Sequence, residues 1–217
     1  MTQGASPATG LPATVVAAGP ADLDALSHVI AEAFHPLAPS QWLTPDPAAR
    51  RAIFPAYFRL YLEHAMASGV VHTTPGRTAA APWIHVGVDG PAEPADYAAR
   101  LSAATGRWAY RFRAFDAALD RRHPTGFPHD HLAILAVHPD TQGQGTGTAL
   151  LNAYHHTLDH HTRVPAYLEA SDQRTRRLYL AHGYTDHGPP IQLPGGPDMF
   201  PMWREPRHMS GGVTGSS

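Results

Sequence analysis

Val137-His138-Pro139-Asp140-Thr141-Gln142-Gly143-Gln144-Gly145-Thr146-Gly147-Thr148 follows a short apolar run, His131 to Val137. It precedes a stretch in which Leu150, Leu151, Tyr154 and Leu158 recur at helical spacing. The segment predicts a strand, a glycine-rich loop and an amphipathic helix. The first amides of such a helix have no intrahelical acceptor, and the macrodipole adds partial positive charge there. Glycines at 143, 145 and 147 let an anion approach the backbone with no Cβ in the way, so the arrangement implies a diphosphate-bearing cofactor. A dinucleotide fingerprint, G-x-G-x-x-G, is the competing pattern. Gly143 and Gly145 fit its first two positions and Glu169 its ribose-binding acid, but Thr148 stands at the third glycine and the run begins past Pro139.

Outward from this loop, the chain alternates short strands and helices. A first strand is expected at Ala13 to Ala18, and Pro20 opens a helix with Leu23, Leu26, Ile30 and Phe34 on one face. Pro36 and Pro39 mark a loop. A helix from Ala48 to about Ser68 carries Ile53, Phe54, Tyr57, Phe58 and Tyr61, mostly core with a ring or two left for a ligand. Strands at Val70 to Thr74 and Ala79 to Val88 flank a turn at Pro75 and Gly76, and Pro94 to Asp120 reads as helical with a break near Gly106. Beyond the loop come a strand at Ala166 to Ala170, a helix from Asp172 to Ala181 ended by Gly183, and two final strands within Tyr184 to Arg204. Residues 1–12 and 208–217, rich in Gly, Ser, Thr and Pro, are expected to be disordered ends of a single domain spanning 13–207.

Composition narrows the chemistry. The 217 residues carry a formal net charge of −2, so no general positive field exists for a phosphate backbone and nucleic acid is not an expected partner. All sixteen Lys/Arg positions are Arg, a bias in keeping with a GC-rich bacterial genome. Without lysine the chain excludes a Walker-type phosphate loop and Schiff-base catalysis; without cysteine it excludes a thiolate nucleophile, disulfides and Cys-based zinc sites. No window approaches eighteen consecutive apolar residues, and Met1 to Leu11 lacks the pattern of a signal peptide. A cytoplasmic protein without membrane contact, monomeric or homodimeric, is expected.

Gln142, Gly145 and Gly147 match Q-x-x-G-x-G, preceded by Val137-His138-Pro139, and Leu178-Tyr179-Leu180-Ala181-His182-Gly183-Tyr184 is similar to L-Y-x-x-x-G-F. In these two motifs the chain resembles the GNAT superfamily of N-acetyltransferases. Val164 to Ser171, Met202-Trp203-Arg204-Glu205-Pro206, Glu32-Ala33-Phe34 and Thr44-Pro45-Asp46 look similar to the group of puromycin N-acetyltransferase and its actinobacterial relatives. The resemblance implies an α/β fold with a mixed, mostly antiparallel sheet of about seven strands flanked by helices, with a splayed central strand pair. It implies acetyl-CoA as cofactor, direct acetyl transfer to a primary amine, and a small-molecule acceptor, an antibiotic among the candidates. A protein or peptide acceptor, marked by an open acidic groove, and a CoA-binding sensor without turnover are the alternatives.

The same resemblance places Leu135, Ala136, Val137, Gln142, Gly143, Gln144, Gly145, Thr146, Gly147 and Thr148 along CoA, with Thr175 where relatives place an Asn and Tyr179 beside the sulfur as the acid that protonates the leaving thiol. The amine needs a base. His131 is the first candidate, since imidazole titrates near neutrality and its strand resembles that of serotonin N-acetyltransferase, with Ala133 where a second histidine would stand. Glu169 is the second, sharing a strand face with Tyr167. His155, His156, Asp159, His160 and His161 offer metal-like spacing but read as a solvated helix face, as do His129 and Asp130, and no metal is expected. Trp42, Trp83, Trp108 and Tyr110 are candidates for an acceptor pocket or for core.

Overall fold

The computed structural model of the protein describes residues 13–94 and 96–207, so the expected ends at 1–12 and 208–217 lie outside the described residues. Its elements run β1 (Val16–Ala17), α1 (Leu23–Phe34), α2 (Ala38–Leu43), α3 (Pro47–Ser68), β2 (Gly69–Thr73), β3 (Ala79–Val86), α4 (Tyr97–Thr105) and α5 (Ala109–Asp120) in the first half. The second half holds β4 (His129–Leu132), β5 (Ala136–Val137), α6 (Thr146–Thr157), β6 (Ala166–Ala170), α7 (Gln173–Ala181), β7 (Thr185–Asp186), β8 (Ile191–Gln192) and β9 (Asp198–Arg204).

Seven strands lie side by side in the order β1-β2-β3-β4-β6-β9-β7, with β5 paired to β3 and β8 to β9. Every pairing is antiparallel except β4 with β6. Period-two alternation in β3 divides the interior in two. Ala80, Ile84 and Val86 join Leu26, Ile30, Phe54, Phe58 and Phe112 under α1, α3 and α5, whereas Ala79, Ala81 and Trp83 join Leu150, Leu151, Tyr154 and Tyr179 under α6 and α7. β3 is thus buried on both faces, which its near-continuous apolar sequence required.

Three expectations need correction. The segment after Pro36 is a helix, because Pro39 falls in its first turn, where no amide hydrogen is needed. The last segment holds three strands, since β8 folds back on β9 as a small separate ladder. The run His131 to Val137 is interrupted, and the interruption shapes the site. Trp83 pairs with Leu132 and Ala80 with Ala136, so three residues on β3's side advance against four on the other: one extra residue is inserted, a β-bulge. Pro82 sits opposite it. Its carbonyl accepts from Ala133 N–H at 3.1 Å but it has no N–H to return, so the ladder loses a rung there.

The parallel pair also parts at this point. β4 meets β6 at Asp130 with Ala166 and His131 with Tyr167, and beyond His131 the line continues as β5, which pairs only with β3. β6 meanwhile stays on β9 along its whole length. A V-shaped gap therefore opens between β5 and the end of β6.

Candidate active site

A single cavity of about 1050 Å³ runs from the glycine-rich loop through this gap to the helices of the first half. Along the loop arm lie Leu135, Ala136, Val137, Gln142, Gly143, Gly145, Thr146, Gly147, Thr148, Thr175 and Tyr179, all expected at the cofactor; of the expected set only Gln144 does not line it. The loop is held locally. Gln142 turns its amide back to donate to the Val137 carbonyl at 3.0 Å, and Thr175 is engaged in the capping of α7, its N–H donating to Asp172 Oδ1 at 2.7 Å. Both residues hold backbone in place, and the start of α6 faces the cavity beside them.

Gly145 occupies the cap position of α6 with φ +79°, in the left-handed region that glycine alone adopts freely, and no side chain caps this helix start. Its first amides are therefore available to an anion. Gly147 has an ordinary backbone, and a Cβ there would meet nothing nearer than Leu135 Cδ2 at 3.8 Å and Val137 Cγ2 at 3.9 Å. It leaves open the passage between α6 and β5. At the bulge, neither Ile134 nor Leu135 N–H finds an acceptor among the described residues. These are the features a pyrophosphate and an extended thioester arm require: unpaired amides at both ends of a narrow apolar gap. The dinucleotide alternative fits less well, because Glu169 is turned into the gap and engaged there.

At the apex of the V, His131 Nε2 donates to Glu169 Oε2 at 2.9 Å. The two candidate bases are thus one unit. Burial would raise the Glu169 carboxyl, but His131, His123 and the Tyr167 hydroxyl outweigh it and hold the group below its usual range, so it is ionised. With Nε2 donating, a neutral His131 keeps its lone pair on Nδ1, which makes no hydrogen bond among the described residues. Behind the pair stands His123, whose Nδ1 is 3.9 Å from Glu169 Oε1 and whose Nε2 meets His129 Nε2 at 3.0 Å. Burial pushes His123 down to about 3, so it is neutral at ordinary pH. Donor atoms of His123, His131 and Glu169 lie within 4.8 Å of one another, a set able to take a divalent ion. No sequence pattern had marked His123; it follows α5 in a loop, eight residues before its partner.

Tyr179 reaches the cavity from α7, 7% exposed, with no hydrogen bond to its hydroxyl among the described residues. Burial, then the Asp172 carboxylate, push its pKa well above the phenol value, so the proton is retained at neutral pH.

Other expectations dissolve into packing. Trp83 is fully buried and stacks on Tyr154, with ring centroids 4.1 Å apart. Trp42 donates to the Pro194 carbonyl at 3.1 Å, and neither these nor Trp108 and Tyr110 line the cavity. The phenylalanine and tyrosine rings that do, besides Tyr179, are Phe34, Tyr57, Phe58, Tyr61, Tyr97 and Phe115. The histidine-rich stretch is only partly a solvated face: His156, His160 and His161 are exposed, but His155 is buried against the Tyr184 hydroxyl and Asp159 takes Arg204 in a two-point ion pair. His129 and Asp130 are buried as well, Asp130 accepting from His85 at 2.6 Å and from the Tyr154 hydroxyl at 2.8 Å.

Residues 112–186, the span holding most of α5, the loop, the split strand pair and α7, match the acetyltransferase (GNAT) domain. The fold is the GNAT fold. A structure from Corynebacterium glutamicum, described as histone acetyltransferase HPA2 and related acetyltransferase, is 27% identical, with a TM-score of 0.66 over 92% of this chain and 99% of that one. A GCN5-related N-acetyltransferase from Rhodopseudomonas palustris (12% identity, TM-score 0.54, 90% and 96% covered) shares the fold alone. So does arylalkylamine N-acetyltransferase 2 from Aedes aegypti (10%, 0.54, 88% and 98%). No protein of curated function matches the sequence. The domain match and the Corynebacterium glutamicum structure support an acyl-CoA-dependent N-acetyltransferase. No helix among the described residues is long and apolar enough to cross a membrane.

Proposed function

We propose that the protein transfers acetyl from acetyl-CoA directly to the primary amine of a small molecule, both bound at once in the one cavity. The observation that carries this reading is the continuity of that cavity: the uncapped start of α6, the parted strands, the His131–Glu169 pair, Tyr179 and an aromatic lobe all line it. When bound, acetyl-CoA supplies a thioester activated for attack by nitrogen. The uncapped amides of residues 146–148 would hold its pyrophosphate, with the Arg174 side chain lining the same cavity. The bulge amides at 134 and 135 stand free to receive a carbonyl oxygen as it gains charge.

A protonated amine is not a nucleophile, so a group at the acceptor end must take its proton. His131 Nδ1 is the free lone pair, and Glu169 fixes the tautomer and stabilises the imidazolium that forms; Glu169 positions and does not itself accept the proton. The departing thiolate needs a proton in a gap with little water, and Tyr179 holds one. The reading is tested by thiol release with mass spectrometry of the products across an amine panel that includes puromycin. Amine-dependent release with one acetyl added to the amine is expected; release at the same rate without amine, or none with any amine, contradicts it.

A second reading, transfer to a basic peptide, draws on the exposed carboxylates Asp89, Glu93 and Asp120 at the cavity. A lysine-bearing peptide in the same panel separates the two.

A further inference from the structure

We propose that the acceptor carries a second protonated nitrogen, held by Asp116 beyond the reacting amine with Asp120 between them; this rests on the acetyltransferase reading above. The lobe away from the loop is walled by α3, α4 and α5, and its floor is a fixed carboxylate. Asp116 Oδ2 accepts from the Tyr97 hydroxyl at 2.9 Å and Oδ1 from Tyr61 at 3.4 Å, while Tyr57 donates to Tyr61 at 3.2 Å. Two phenols fix the carboxylate, Tyr57 backs one of them, and all three electron-rich rings line the cavity a cation would enter.

None of Asp89, Glu93, Asp116 and Asp120, which line the lobe, is in an ion pair among the described residues. Arg113, three residues before Asp116, reaches Ser102 instead, and Arg121 next to Asp120 forms no ion pair with it among the described residues. Burial, then Asp120 and Glu93, raise Asp116 against the lowering hydrogen bonds of Tyr97 and Tyr61; burial, then Glu169 and Glu93, raise Asp120 against His131 and Arg121. Asp116 is driven to about 7. At the reaction end, Glu169, with its side chain 5% exposed, is engaged by His131 and His123 and lines the same cavity. A line of carboxylates without ion-pair partners among the described residues therefore leads away from the base.

Asp116 and Asp120 are four residues apart on α5, one above the other with a rise of about 6 Å. Asp120 is the member that senses His131 and Glu169, so Asp116 lies a helical turn further from the base. An asparagine could still clip the three helices without a buried charge, its single amide oxygen accepting from one phenol and its NH2 donating to the oxygen of the other. The acid is explained by a cation that arrives with the substrate. Two ammonium groups at the ends of a short aliphatic or aromatic spacer match this spacing.

The test is calorimetric binding of α,ω-diamines, from 1,3-diaminopropane to 1,8-diaminooctane, and of n-alkylamines of equal length, to the protein saturated with CoA. The best diamine should bind at least about tenfold more tightly than its monoamine partner. Asp116→Asn should bring that ratio towards one while its melting temperature at pH 8 equals or exceeds the parent's. Asp120→Asn, at an exposed site that cannot harm the fold, should lower the ratio in part. Equal binding of the two amine series by the parent, or an undiminished ratio in both variants, overturns the proposal. So does tighter binding of a lysine-bearing peptide than of any diamine. Preferential diamine binding without acetylation would leave the cation site standing and remove the acetyltransferase reading.

Discussion

Gly147→Ala separates cofactor binding from folding. The new methyl would lie 3.8 Å and 3.9 Å from its nearest neighbours, ordinary van der Waals distances, on a backbone that needs no left-handed conformation. The position is in the first turn of α6, where alanine is the better helix former by up to about 0.5–1 kcal/mol. The unliganded variant should therefore melt at or slightly above the parent's temperature. Binding is another matter, because the methyl projects into the passage between α6 and β5 through which the cofactor must pass. A tenfold loss of affinity is about 1.4 kcal/mol. At a concentration a hundred times the parental Kd, ligand stabilises the parent by about 2.7 kcal/mol and a tenfold weaker variant by about 1.4. For a chain of this size those figures correspond to shifts of roughly 5–10 °C and 3–5 °C. The assay is thermal denaturation with and without acetyl-CoA, with NADH as control. An equal acetyl-CoA shift in both proteins, or a shift with NADH, would refute the placement of the cofactor. Gly145→Val is a poorer test, since φ +79° strains the folded backbone by itself.

Two further outcomes follow. His131→Ala should remove the acidic limb of the pH profile of kcat/KM while leaving acetyl-CoA affinity near parental, and Glu169→Gln should weaken kcat/KM and displace that limb; an unaltered limb in His131→Ala shows that the base lies elsewhere. His155 is held neutral, burial and then Arg204 lowering it to about 3 from an unfolded value near 6.5. The sign is that of a depressed base: the unfolded chain takes up the proton first, so stability present above pH 6.5 is lost as pH falls towards 3. His155→Gln should flatten the pH dependence of unfolding free energy between pH 6.5 and 4.5 by up to about 1.4 kcal/mol per pH unit, and equal slopes in parent and variant would contradict the assignment.

What was legible in the sequence was what repeats at helical or strand spacing, together with the loop. Leu150, Leu151, Tyr154 and Leu158 all proved buried under the sheet, and Gly143 and Gly145 take the left-handed backbone of a tight turn before α6. The bulge was hidden because its cause is on another strand: Pro82, inside an apolar run, reads as a strand residue until its partner is known. The acceptor lobe was hidden for a related reason. Tyr61, Tyr97 and Asp116 come from three helices, and only tertiary packing brings their oxygens together. The tryptophans stayed open between core and pocket because size and chemistry suit both, and Trp83 went wholly to the core. Likewise His155 and Asp159 share a surface-like polar run, yet the π turn that follows α6 carries Asp159 to Arg204.

The central claim is that acetyl transfer occurs in this cavity with Tyr179 supplying the thiol's proton, and the most direct measurement is the single-turnover rate of Tyr179→Phe. The substitution keeps the ring and its packing and removes an oxygen that makes no hydrogen bond among the described residues, so the melting temperature should hold. If the phenol protonates the leaving thiolate, the rate falls by about 10²-fold or more with acetyl-CoA affinity nearly intact. Turnover of an assayable amine at the parental rate, with chemistry limiting, would make Tyr179 a packing residue and contradict the account.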